Sequence, residues 1–118
     1  MRQFNSTSQC SKVKAWSGAG IGAVIAVPAI AAAIMSGGAG HGTYLAARML
    51  FPFSMLLTGF EGSIELVAMA VGLIQFPLYG AVIGRAVALQ ENTYIFQLMT
   101  VHMVAVLACF SGLLLNFS

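Results

Sequence analysis

The chain has 118 residues, 59% of them hydrophobic and only 7% charged, with a mean hydropathy of +0.92. Soluble domains carry about 25% charged residues, so this composition excludes a water-exposed globular surface. The formal charge of +2 rests on five basic and three acidic residues. That is too few for the basic face that nucleic-acid binding needs, and no nucleic acid is expected as a partner.

The apolar residues fall in long runs, the mark of membrane-spanning helices rather than of a hydrophobic soluble core. The sequence predicts an all-α, polytopic integral membrane protein with one transmembrane domain over residues 15–118, preceded by a polar arm over residues 1–14. Four helices are expected in an up-down bundle, over about 15–35, 44–60, 64–84 and 94–117.

The first expected helix follows Lys12 and Lys14 and contains no charge. Its run from Ala15 to Met35 exceeds the core of a signal peptide, about 7–15 residues, and reads as a membrane anchor. Gly18 and Gly22 stand four apart, the spacing that lets two helices touch backbone to backbone in lipid. Pro28 is expected to bend this helix. The glycine-rich stretch Ser36–Thr43 reads as a turn, because it lacks the Gly-Lys-Ser/Thr ending of a phosphate loop.

The second helix is the least orthodox, with Arg48 in its first turns and Pro52 near its middle. Its charge-free part, Met49 to Phe60, is too short to cross alone, so Arg48 must snorkel or be paired. A re-entrant hairpin is the competing reading. A tight turn at Glu61-Gly62-Ser63 leads to the third helix, which carries Glu65, Gln75, Pro77 and Tyr79. The proline kinks at Pro52 and Pro77 are expected to face one another across a hairpin. Asn92 or Thr93 is placed to cap the fourth helix.

Counted on four crossings, Lys12, Lys14, Glu61 and Glu65 share one interface, and His41, Arg48, Arg85 and Glu91 share the other. The excess of Arg2, Lys12 and Lys14 then predicts both termini in the cytoplasm, in a bacterial inner membrane. Glu61 and Glu65, four residues apart, either bind a cation or answer Lys12 and Lys14 as structural partners.

His102 is an ionisable group inside the last apolar run, about 12 Å along its helix from Tyr94. Such a group is a functional candidate by default. With Met99 and Met103 beside it, His102 is a candidate ligand for haem iron, chlorophyll magnesium or copper. The alternative is a hydrogen bond from a neutral imidazole to a neighbouring helix. Gln75, Gln97, Thr100, Ser54 and Thr58 are the other polar groups in apolar runs. No nucleophile–base pair or clustered metal ligands can be read, so an enzyme is not expected.

Three functions remain at this level. A non-catalytic structural or accessory subunit, partnered by lipid and other membrane subunits, fits a chain with no extramembrane domain. A small homo-oligomeric transporter or channel is the alternative, and a cofactor-bearing subunit built on His102 is the second.

Overall fold

The computed structural model describes residues 2–38, 42–61 and 66–112. Among these residues five helices follow in order: α1 (Arg2–Gly37), α2 (Leu45–Leu50), α3 (Pro52–Glu61), α4 (Leu66–Leu89) and α5 (Thr93–Phe110). No strand occurs among the described residues. Three of the helices, α1, α4 and α5, are long and apolar enough to cross a membrane.

The arm expected to precede the first span is helical and continuous with it, giving α1 its 36 residues. Once a helix is nucleated, each added residue contributes one hydrogen bond for two fixed dihedrals, so extension into the polar arm is cheap. At 1.5 Å per residue α1 is about 54 Å long, well beyond the apolar thickness of a bilayer. Pro28 lies inside α1 without ending it.

α4 packs antiparallel on α1 with the backbones in contact. A Cβ placed on Gly18 would strike the Gly80 carbonyl, one on Gly22 the Phe76 carbonyl, and one on Gly84 the Lys14 carbonyl. With no Cβ in the way, the two backbones gain van der Waals contact along the crossing. Ser11, Ala26 and Ala29 are buried on the same stripe of α1. Gly20, facing away, meets nothing.

The span expected over residues 44–60 is instead two helices of 6 and 10 residues, meeting at Phe51 (φ −127°, ψ 53°). The cause is Pro52: its ring disfavours the α conformation at the preceding residue, and it has no N–H to donate back to Arg48. The chain enters beside the end of α1, where the Ala47 N–H donates to Ser36 Oγ at 3.4 Å. It then reaches Gln75, whose Nε2 donates to the Leu50 carbonyl at 2.8 Å. By Ser54 it has turned back toward the start of α4, donating from Oγ to the Ala68 carbonyl at 2.7 Å. Phe51 and Phe76, the residues before the two prolines, pack their rings edge to face at 5.2 Å.

This turn-back redistributes the charges. Lys14 lies against Gly84, so Arg85 stands at the same end of the α1·α4 pair as Lys12 and Lys14, not at the opposite end as four crossings required. α3 ends at Glu61 beyond Ser54, near the start of α4, which separates Glu61 from Lys12 and Lys14. From Ala68 to Gly84 alone is about 24 Å of helix, too far for those lysines to pair with Glu61. His41, Glu65 and the Glu61 side chain lie outside the described residues.

α4 closes with the Glu91 N–H bonded to the Ala86 carbonyl at 3.0 Å and the Gln90 N–H to Val87 at 3.3 Å. These are the two bonds of a Schellman stop, with Gln90 rather than glycine in the left-handed position (φ 55°). Asn92 is the N-cap of α5, as the sequence suggests, although its side chain makes no capping bond.

Candidate functional site

Breaking a helix at proline leaves carbonyls on one side without their usual partners four residues ahead. In lipid, where water cannot serve them, each such group costs several kcal/mol unless another side chain reaches it. The break at Phe51-Pro52 is met in this way from two neighbouring helices, and the result is the main polar cluster of the described residues.

Gln75 of α4 serves Leu50, as described above, and is itself buried. His102 of α5 serves Met49: Nε2 lies 3.0 Å from the Met49 carbonyl. A carbonyl only accepts, so Nε2 carries the proton of the neutral ring. The other nitrogen, Nδ1, then accepts from the Tyr79 hydroxyl of α4 at 2.8 Å. Both imidazole nitrogens are therefore engaged within the chain. Tyr79 and Phe53 also set their rings edge-on to His102, at 5.5 and 6.5 Å between centroids. Cys109, two turns along α5, donates from Sγ to the Pro52 carbonyl at 3.3 Å.

The carbonyls of Met49, Leu50 and Pro52 thus each have a side-chain donor from α4 or α5. Gln75 Oε1 is buried with no hydrogen-bond partner among the described residues. The Gln75 amide cannot be reversed to satisfy it, because Oε1 would then face the Leu50 carbonyl. Thr58, almost fully buried, turns its hydroxyl back on the Ser54 carbonyl at 2.9 Å. The guanidinium of Arg48 lies over the Phe110 ring at the end of α5, 5.8 Å from its centroid.

Of the residues singled out from the sequence, the fold brings His102 and Gln75 to one place, with Arg48 one residue before the carbonyl that His102 holds. Met99 and Met103 are exposed and do not join His102. Ligation of a metal by His102 would require one of its two hydrogen bonds to be given up. Among the described residues no three His, Cys, Asp or Glu side chains gather as a metal site would need. Tyr79 is the participant that the sequence reading left unassigned. Its signal was available: it lies four residues after Gln75 and so shares that face of α4. No family model matches the chain, and neither a curated protein nor a solved structure matches it.

Proposed function

We propose that this protein is a non-catalytic accessory subunit of a larger membrane complex. The observation that carries this reading is the inward direction of the polar groups in the apolar layer. His102, Cys109, Ser54, Thr58 and the Gln75 amino group all bond to the chain's own atoms. They hold a broken helix in place, and the side chains facing outward are mostly apolar, as lipid or a neighbouring helix requires.

The projecting part of α1 supports the same reading. Lys14 meets Gly84, so α4 ends level with about Gln9, and the preceding turns stand clear of the bundle. An exposed polar helix at the membrane surface gives another protein something to hold.

The membrane arrangement we propose has three crossings, α1, α4 and α5, with α2 and α3 dipping in and out from one face. Four of the five Lys and Arg residues, Arg2, Lys12, Lys14 and Arg85, then lie on the N-terminal face, and only Arg48 belongs to the other half. This bias favours an N-terminus in the cytoplasm and the end of α5 on the opposite face. A bacterial inner membrane is the proposed location. This differs from the sequence expectation of two cytoplasmic termini because α2 and α3 together do not cross.

Native mass spectrometry of the protein released gently from its own membrane tests the subunit reading. A heteromeric assembly containing this chain is the expected result. A closed homo-oligomer with no other protein would overturn it in favour of a transporter or channel. One observation favours that second reading: Gln75 Oε1 stands open beside a helix break inside the apolar layer, a position where transporters commonly bind ions.

A further inference from the structure

The glycines that let α1 and α4 touch leave a valley along one side of the pair. Its volume is about 450 Å³. Gly18, Gly22, Gly80 and Gly84 form the floor, and Ile21, Ile83, Val87 and Phe76 stand along the walls. Lys14 and Ser17 lie at one end. From Lys14 to Ile25, the last lining residue on α1, the valley runs about 17 Å at 1.5 Å per residue.

The charged end carries the residue types of a membrane interface. Trp16 is exposed there on α1 and Tyr94 at the start of α5, a placement typical of interfacial aromatics. Lys12 is exposed on α1, and exposed Arg85 follows Gly84, which packs on Lys14. One end of the valley therefore offers the Lys14 cation and the Ser17 hydroxyl to an anion, and the rest offers apolar wall to a hydrocarbon chain. A cleft of like size between α1, α2 and α4, lined by Ile30, Phe51 and Met69 among others, has no charged side chain in its lining.

We propose that the α1·α4 valley is a binding site for one anionic glycerophospholipid. An acyl chain lies on the glycine floor, and the phosphate headgroup is held by Lys14, with Ser17 beside it. Gly18 and Gly80 serve two ends at once: they bring the helices together and keep the floor low enough for a chain. The site does not depend on the subunit reading.

The test titrates the purified full-length protein in mild detergent with dioleoyl phosphatidylglycerol and, separately, dioleoyl phosphatidylcholine, with retained lipids counted by native mass spectrometry. One phosphatidylglycerol per chain is expected to be held more tightly than phosphatidylcholine. Lys14→Gln should weaken phosphatidylglycerol by about fivefold, the effect of one basic side chain near an anionic headgroup. Ile83→Trp, which fills the valley from its partly exposed wall, should remove the tightly held lipid altogether. If Ile83→Trp does not fold, Val87→Trp tests the same volume from the next turn. Equal retention of the two lipids, or tight phosphatidylglycerol binding that survives both Lys14→Gln and the filled valley, overturns the proposal. So does efficient cross-linking of Ile83→Cys to another protein in the native membrane, which would assign the valley to a partner helix.

Discussion

The two seams of this protein hold helices together by different physics. Between α1 and α4 the contact is backbone on backbone, made possible by glycines at 18, 22, 80 and 84 and needing no hydrogen bond between side chains. Around α2 and α3 the contact is polar. A helix interrupted at Pro52 exposes the Met49 and Leu50 carbonyls, which His102 and Gln75 reach from α5 and α4, and Cys109 adds a bond to the Pro52 carbonyl. Lipid tails are as apolar as leucine, so burial of apolar surface drives neither seam, and close packing and hydrogen bonding remain. The first seam is rigid because nothing can be inserted; the second is specific because each donor has one acceptor.

The contrast predicts unequal sensitivity to mutation. Gly80→Val should have the largest effect, since its Cβ would meet the Gly18 carbonyl and neither backbone can yield. The loss should reach or exceed the upper end of the about 1–3 kcal/mol usual for overpacking, read as a lower midpoint of thermal unfolding in detergent. A Gly80→Val protein with an unchanged midpoint would show that the seam is not a backbone contact.

Gln75→Leu comes next. It leaves the Leu50 carbonyl unserved while also removing the open Oε1, so the two terms partly offset and a loss of about 1–2 kcal/mol is expected. A loss as large as that of Gly80→Val would mean that the break, not the glycine seam, governs stability. His102→Ala should cost a similar amount, about 1–2 kcal/mol, because the Met49 carbonyl loses its donor and the Tyr79 hydroxyl its acceptor. Because both ring nitrogens already serve the fold, the visible absorption spectrum of His102→Ala should match that of the unaltered protein; a lost band would identify a chromophore on this residue. Gly20→Ala is the smallest change. With nothing near its Cβ position, it should be neutral or raise stability by up to about 1 kcal/mol through helix propensity.

The glycine seam was half legible in the sequence. Gly18 and Gly22 announced a packing face on α1 by their spacing, and Gly80 and Gly84 carry the same spacing on α4. Matching those two pairs names the partner helix directly. The broken helix was legible as a defect: Arg48, Pro52 and the short stretch between Met49 and Phe60 do not make a span. A crossing and a re-entrant hairpin both remained open after the break, because the choice depends on Gln75 and Ala68, which are 25 and 14 residues from their partners. Assigning it a full crossing also reversed the placement of Arg85. His102 was legible as an unusual residue, but its role was not. The acceptor is a backbone carbonyl 53 residues away, and carbonyls have no sequence signature. The polar composition of residues 1–14 marked an arm but not its conformation, and helix continues there because α1 is already nucleated.

The dip and return of α2 and α3 is the central claim, and it fixes the parity of crossings. The direct measurement is the sidedness of the two chain ends in intact inner-membrane vesicles. Single cysteines at Ser6 and Ser111, in a protein with Cys10 and Cys109 replaced by alanine, are labelled with a membrane-impermeant thiol reagent before and after the vesicles are opened. Labelling of the two positions from opposite faces is the predicted result. Labelling from the same face would mean that residues 44–60 cross the membrane after all, and would contradict the account.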